Sequence, residues 1–195
     1  MVTIDCTIPS EHPLAPDWSR FQNVRLEFGG GGIPTPGYLN CDLAEGEGIA
    51  FKVDLSGRLP FPPGWADEIL AVHVLEHMPW THVQEIFQEW TRVLKRGGLM
   101  IIEVPNMDNV FRGVLDGSWH LQFNNDNRGG NAMVPIWGEV SASNFMQHKA
   151  GLTPQLLREL YLSSGYGNLQ WTDNLGVPIT EGQLGWAMRL RGEKQ

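Results

Sequence analysis

The chain has 195 residues, 42 % hydrophobic and 18 % charged, the proportions of one globular domain with a real core rather than a disordered chain. Its formal net charge of −8 excludes the basic face that phosphate contacts need, so no nucleic-acid partner is expected. No apolar run is long enough to span a bilayer, and no membrane partner is expected. Met1-Val2-Thr3-Ile4-Asp5-Cys6 lacks the basic and apolar regions of a secretory signal, and Cys6 and Cys41 form no metal or redox spacing. Two isolated thiols suit a reducing compartment, so the expected location is cytoplasmic.

Residues 1–22 are rich in Pro, Ser and Asp and read as an arm over a single domain that spans 1–195. Val24–Phe28 is a short apolar strand ending at four glycines, Gly29–Gly32. Tyr38–Asp42 and Ile49–Asp54 are the second and third strand candidates, and Glu68–Val72 is the fourth. Thr81 with Gln84 matches a capping box. Val83, Ile86, Phe87, Trp90, Val93 and Leu94 then recur at helical spacing. Lys95 and Arg96 complement the C-terminal end of that helix, and Gly97-Gly98 stops it.

Leu99–Val104 is a continuous apolar run, as in a strand buried on both faces. Residues 105–150 show weak periodicity and much Asn, Gly and Trp. A loop of that length is usually functional, and Trp119, His120, Phe123 and Trp137 make it a candidate acceptor lid. Thr153-Pro154 opens a second helix with an N-cap and a proline at its first position, its apolar face being Leu156, Leu157, Leu160 and Tyr161. Leu169–Trp171 is a late strand. Leu184–Leu190 alternates Leu184, Trp186, Met188, Leu190, the pattern of an edge or half-covered strand.

Strands alternating with helices predict an α/β sheet that binds ligands at the carboxyl ends of its strands. About nine residues separate the first two strands, whereas a parallel crossover usually needs a dozen or more. The first helix is therefore expected to be missing or reduced to a turn.

Leu26-Glu27-Phe28-Gly29-Gly30-Gly31-Gly32 resembles the first motif of class I methyltransferases, where the backbone turns tightly against the ligand. Asp42 ends the second strand, where a carboxylate can accept both ribose hydroxyls. Asp54 ends the third, where it can accept from an adenine amino group. A nicotinamide dinucleotide needs G-x-G-x-x-G opening a helix that holds the pyrophosphate. Here the last glycine would fall on Pro34 and the helix is missing, which favours S-adenosylmethionine, a cofactor without phosphate.

From Val53 the resemblance becomes specific. Val53-Asp54-Leu55 through Leu59-Pro60-Phe61, then Asp67-Glu68-Ile69 with His73-Val74-Leu75-Glu76-His77, then Arg92-Val93-Leu94-Lys95-Arg96-Gly97-Gly98, is similar to the type-11 methyltransferase group. Glu103-Val104-Pro105-Asn106 continues the likeness. Ile33 stands where the third spaced glycine is usual, and Arg96 where proline is usual. The resemblance implies a Rossmann-like class I methyltransferase sheet, mostly parallel with helices on both faces. It implies a transferase that binds S-adenosyl-L-methionine through Glu27, Phe28, Gly29, Gly30, Gly31, Asp42, Leu43, Asp54, Leu55, Val72 and His73. The expected acceptor is a small molecule. For a hydroxyl acceptor a histidine base suits neutral pH, and His77, His148 and His120 are candidates, with His77 and His148 placed beside the cleft.

Two other readings stand beside this one. A fold relative could bind the cofactor without methylating, as a partner subunit or for different chemistry. His73-Val74-Leu75-Glu76-His77 also matches H-x-x-E-H, the inverted zinc-protease motif. A catalytic zinc needs three protein ligands and the motif supplies two, so no metal is assigned from the sequence.

Overall fold

The computed structural model describes residues 4–5, 17–121, 131–138 and 146–195. Its strands are β1 (Ile4–Asp5), β2 (Arg25–Phe28), β3 (Leu39–Asp42), β4 (Phe51–Lys52), β5 (Ala66–Val72), β6 (Leu94–Pro105), β7 (Tyr166–Thr172) and β8 (Ala187–Lys194). They form one sheet in the order β1-β4-β3-β2-β5-β6-β8-β7. Every pairing from β1 through β6 is parallel. β8 alone runs antiparallel, inserted between β6 and β7. This is the expected Rossmann-like sheet, seven strands with a two-residue strand added at one edge.

Helices among the described residues are α1 (Val83–Val93), α2 (Met107–Asp116), α3 (Met133–Trp137) and α4 (Pro154–Ser163). α1 and α4 lie on the same face of the sheet. Trp90 of α1 packs edge-on against Phe28, with ring centroids 5.1 Å apart. Phe87 of α1 meets Tyr161 of α4 at 5.0 Å. The Tyr161 hydroxyl lies 2.9 Å from the Leu190 carbonyl and 3.2 Å from that of Met100, so it reaches two central strands. Under these helices lie Leu26, Ile69, Met100, Ile102 and Leu190, all fully buried.

The crossover from β2 to β3 contains turns and no helix, as the short spacing predicted. That from β3 to β4 is likewise turn. Glu27, buried in β2, replaces a helix as the fastener: its carboxylate accepts from the Thr35 amide at 2.6 Å and the Thr35 hydroxyl at 2.7 Å. The Trp18 side chain packs on Phe51, Phe61 and Trp65 with centroids 5.0 to 5.7 Å apart. Cys41 is buried in β3. Cys6 and Phe123 lie outside the described residues, as do most of the arm and residues 122–130 and 139–145 of the candidate lid.

Several local expectations change. No capping box opens α1: its N-cap is His82 without a side-chain cap bond, and the Thr81 hydroxyl is bonded to the His82 ring. α1 stops at Val93, before the glycines, because Leu94 is already extended and pairs with Ala66. Gly97 at φ 77° turns the chain inside β6, and a Cβ on Gly98 would sit 3.0 Å or less from Leu94, Lys95 and Asp67 atoms. The glycines therefore serve a tight strand entry rather than a helix stop. The third strand is only two residues long, ending before Asp54. β8 is interior, its alternation reflecting one face under the helices and one carrying Arg189 and Arg191. α4 begins as expected, with the Thr153 hydroxyl accepting from the Leu156 amide, but Leu156 itself points to solvent.

The stretch after β6 is not structureless. α2 is capped by Asn106 and stopped by Gly117 at φ 78°. Met107, Val110 and Ala132 form a small apolar cluster, separate from the main core, joined by Trp119 and Ile136.

Candidate active site at the carboxyl ends of the strands

The glycine turn is pinned from β3. Gly29 and Gly31 adopt φ 68° and 58°, and a Cβ on Gly29 would lie 2.6 Å from a Val74 methyl, so both geometry and space demand glycine there. Three of the four turn amides are committed. Gly29 donates to the Cys41 carbonyl at 2.8 Å, Gly30 to Asn40 Oδ1 at 3.0 Å and Gly31 to Asp42 Oδ2 at 3.1 Å. Asn40 also donates to the Gly31 carbonyl at 2.7 Å and is 1 % exposed. Sequence reasoning missed Asn40. The signal available was a polar residue at an inward position of a buried strand, which must find partners.

Asp42 sits at the end of β3 with Oδ1 accepting from the Ala44 amide at 2.9 Å, and each carboxylate oxygen keeps capacity for a further bond. Leu43 beside it is exposed. Asp54 is exposed and accepts from the Ser56 amide and hydroxyl, an Asx turn. Phe28 and Leu55 bury their side chains in the core, and the Leu55 carbonyl accepts from Trp90 Nε1 at 2.9 Å. Any ligand contact by Phe28 or Leu55 is confined to remaining backbone groups. Ile33 is fully outside, 92 % exposed.

β5 ends at Val72, and His73 follows in the left-handed region at φ 54°. A β-strand terminus rather than a helix thus carries His73, so it does not pair with His77 across a helical turn. Its Nδ1 lies 2.9 Å from Glu76 Oε1 and its Nε2 3.5 Å from Glu103 Oε1. Burial alone would lower the pKa of His73; the hydrogen bonds to Glu103 and Glu76 outweigh it and raise it to about 9. The bond from His73, helped by the Arg189 guanidinium, holds Glu103 below the usual carboxylate range. Trp186 stacks on the His73 ring, 5.4 Å between centroids and 3° between planes. Both ring nitrogens of His73 face carboxylates, which removes it as a zinc ligand and with it the H-x-x-E-H hydrolase arrangement.

His77 ends the short 3-10 turn Leu75–His77, and its ring meets that of His148 at 4.9 Å, edge to face. The long excursion after β6 returns here because the Lys149 and Ala150 amides both donate to the Glu76 carbonyl, at 2.7 and 3.0 Å. His148 is held by the Pro135 carbonyl, 2.8 Å from its Nδ1, and burial lowers its pKa. The two histidines named as acceptor-side candidates are therefore in contact. His120 is exposed and apart from them, in an isolated bridge with Asn131.

The sheet has the fold of class I methyltransferases. It resembles a methyltransferase of Thermotoga maritima, described as a possible histamine N-methyltransferase, at 15 % identity and a TM-score of 0.57, over 90 % of this chain and 84 % of that one. A methyltransferase of Archaeoglobus fulgidus matches at 14 % and 0.57, over 88 % and 86 %. The 1,6-didemethyltoxoflavin-N1-methyltransferase of Burkholderia thailandensis, solved with S-adenosylhomocysteine, matches at 15 % and 0.51, over 88 % and 71 %. No curated protein sequence matches the chain. In sequence, residues 40–102 match a family model described as a methyltransferase domain.

With three of its four amides spent inside the protein, the glycine turn is a poor nest for a pyrophosphate, and its residues fit S-adenosylmethionine, a cofactor without phosphate, better. At the strand ends stand Asp42, Glu76 and Glu103, the last two paired with His73.

Proposed function

We propose that this protein transfers the methyl group of S-adenosylmethionine to a small-molecule acceptor seated against His77 and His148. The observation that supports this most is the register of three features along adjacent strand ends. The pinned glycine turn follows β2, Asp42 closes β3, and the His73–His77 segment follows β5, with His148 brought against it. In this reading Asp42 accepts the ribose hydroxyls and the turn backbone lies along the cofactor. Asp54, Leu43 and Val72 border the same cleft.

The cofactor, when bound, supplies an electrophilic methyl on sulfur. The protein's part is alignment and exclusion of water. Trp186 and the cationic His73 form a flat wall at the end of β5, fixed by Glu76 and Glu103. His148, its charged form disfavoured by burial, presents a neutral imidazole to the acceptor side. In this reading α2 and α3, the described helices within residues 105–150, lie on the acceptor side of the cleft.

Calorimetry with S-adenosylmethionine and S-adenosylhomocysteine tests the first half of this proposal, and methyl release against a metabolite panel tests the second. Asp42→Ala is expected to weaken cofactor affinity at least tenfold. Unchanged affinity removes Asp42 from the cleft, and no heat from either nucleoside in the unaltered protein overturns the reading.

A further inference from the structure

Glu76 is 1 % exposed, and its carboxylate is only half satisfied. Oε1 meets His73, whereas Oε2 is buried with no hydrogen-bond partner among the described residues. A buried carboxylate oxygen without a partner is costly, and such a group calls for an explanation. The rings of His77 and His148 stand beside it. Each has Nδ1 against a backbone carbonyl, Gln147 at 3.2 Å and Pro135 at 2.8 Å. A carbonyl only accepts, so each ring donates from Nδ1 and its neutral form carries the lone pair on Nε2. That is the outer arrangement that fixes a histidine for metal ligation. One potential ligand atom from each of Glu76, His77 and His148 lies within 4.8 Å of the other two.

We propose that Glu76, His77 and His148 bind a divalent transition-metal ion, with imidazole and carboxylate donors of the kind that zinc accepts. The ion gives Oε2 its partner and draws the three side chains together by roughly 1–1.5 Å, to the ligand spacing of such ions. His73 does not compete for it, since it holds Oε1. Three protein ligands leave coordination positions open, and these face the acceptor side of the cleft.

The proposal rests on the methyl-transfer reading where it names a substrate class: an acceptor with a hydroxyl that coordinates the ion. Coordination lowers the pKa of such a hydroxyl. The proton leaves to water, an oxygen lone pair attacks the methyl carbon, and the carbon–sulfur pair departs on sulfur as a neutral thioether.

The test is zinc binding by calorimetry and elemental analysis on full-length protein stripped with chelator. One equivalent per chain is expected, weakened at least tenfold in both His148→Ala and Glu76→Gln. Thermal melts of the zinc-free variants verify that each is folded, and Glu76→Gln keeps the shape of the side chain. No stoichiometric zinc in the unaltered protein overturns the site, and so does binding unchanged in the two folded variants. The readout is the metal itself. Failure to bind S-adenosylmethionine removes the methyl-transfer reading alone, and failure to bind zinc removes the metal site alone.

Discussion

Replacing Asn40 with alanine tests whether the glycine turn is shaped from the neighbouring strand. Asn40 lies in β3, 1 % exposed, and makes two bonds across to the turn: it accepts from the Gly30 amide at 3.0 Å and donates to the Gly31 carbonyl at 2.7 Å. Each such bond contributes about 1 kcal/mol net, so the pair amounts to about 2 kcal/mol. For a domain of this size that lowers Tm by roughly 4–8 °C. If the released turn must be reordered when the cofactor binds, up to the same free energy falls on affinity, a weakening of at most about 30-fold. We expect roughly tenfold. The assay is calorimetry with S-adenosylhomocysteine beside thermal unfolding of the same samples. Asn40→Asp serves as the second variant, because it keeps the acceptor for Gly30 but sets a carboxylate against the Gly31 carbonyl and should lose affinity as well. A lowered Tm with unchanged affinity in both variants would refute the turn as part of the cofactor site.

Two further outcomes concern the scaffold. Tyr161→Phe removes the hydroxyl that reaches the Leu190 and Met100 carbonyls, and should cost about 1–2 kcal/mol, or roughly 2–8 °C in Tm, with cofactor affinity unchanged. Glu89 is held below its ordinary pKa of 4.5: burial alone would raise it, but the bonds from Arg92 and the Leu59 amide outweigh that. A depressed carboxylate stabilises the fold above its unfolded pKa, and the contribution is lost as pH falls through the lower folded value. Tm should therefore drop less steeply between about pH 5 and pH 3 in Glu89→Gln than in the unaltered protein; equal slopes would remove Glu89 from the acid response.

The elements of the sheet could be read along the chain, because burial imposes a period on the residues that form them. β5, β6 and α4 are where apolar runs and helical spacing place them, and Thr153 caps α4 as its chemistry predicts. The missing helix after β2 was legible from distance alone, since nine residues cannot make a crossover helix and return. Errors fell where tertiary pairing overrode a local preference. Thr81 and Gln84 form no capping box, and Gly97-Gly98 lies inside β6 because Leu94 is captured by Ala66 before the helix can run on. The alternation over Leu184–Leu190 fits an edge or a half-covered strand, and β8 is an interior strand. Alternation reports that one face of a strand is covered, and says nothing of which strands flank it.

The candidate site divides in the same way. The sequence by itself determined the glycines, the acidic residues at successive strand ends and the His73–His77 segment, because each is a local requirement of backbone turn or strand termination. Only the tertiary structure decided what those groups face. Asn40 alternates inward on β3 and so meets the turn after β2. The Lys149 and Ala150 amides dock on the Glu76 carbonyl, and that docking, with the bonds from His77 to Gln147 and from His148 to Pro135, brings His148 to His77 and to the Glu76 oxygen that has no partner among the described residues. His148, which joins Glu76 and His77 in the proposed metal site, lies far along the chain, where no spacing rule reaches, because contacts closed by a long excursion are set by packing at both ends and leave no period in the residues between.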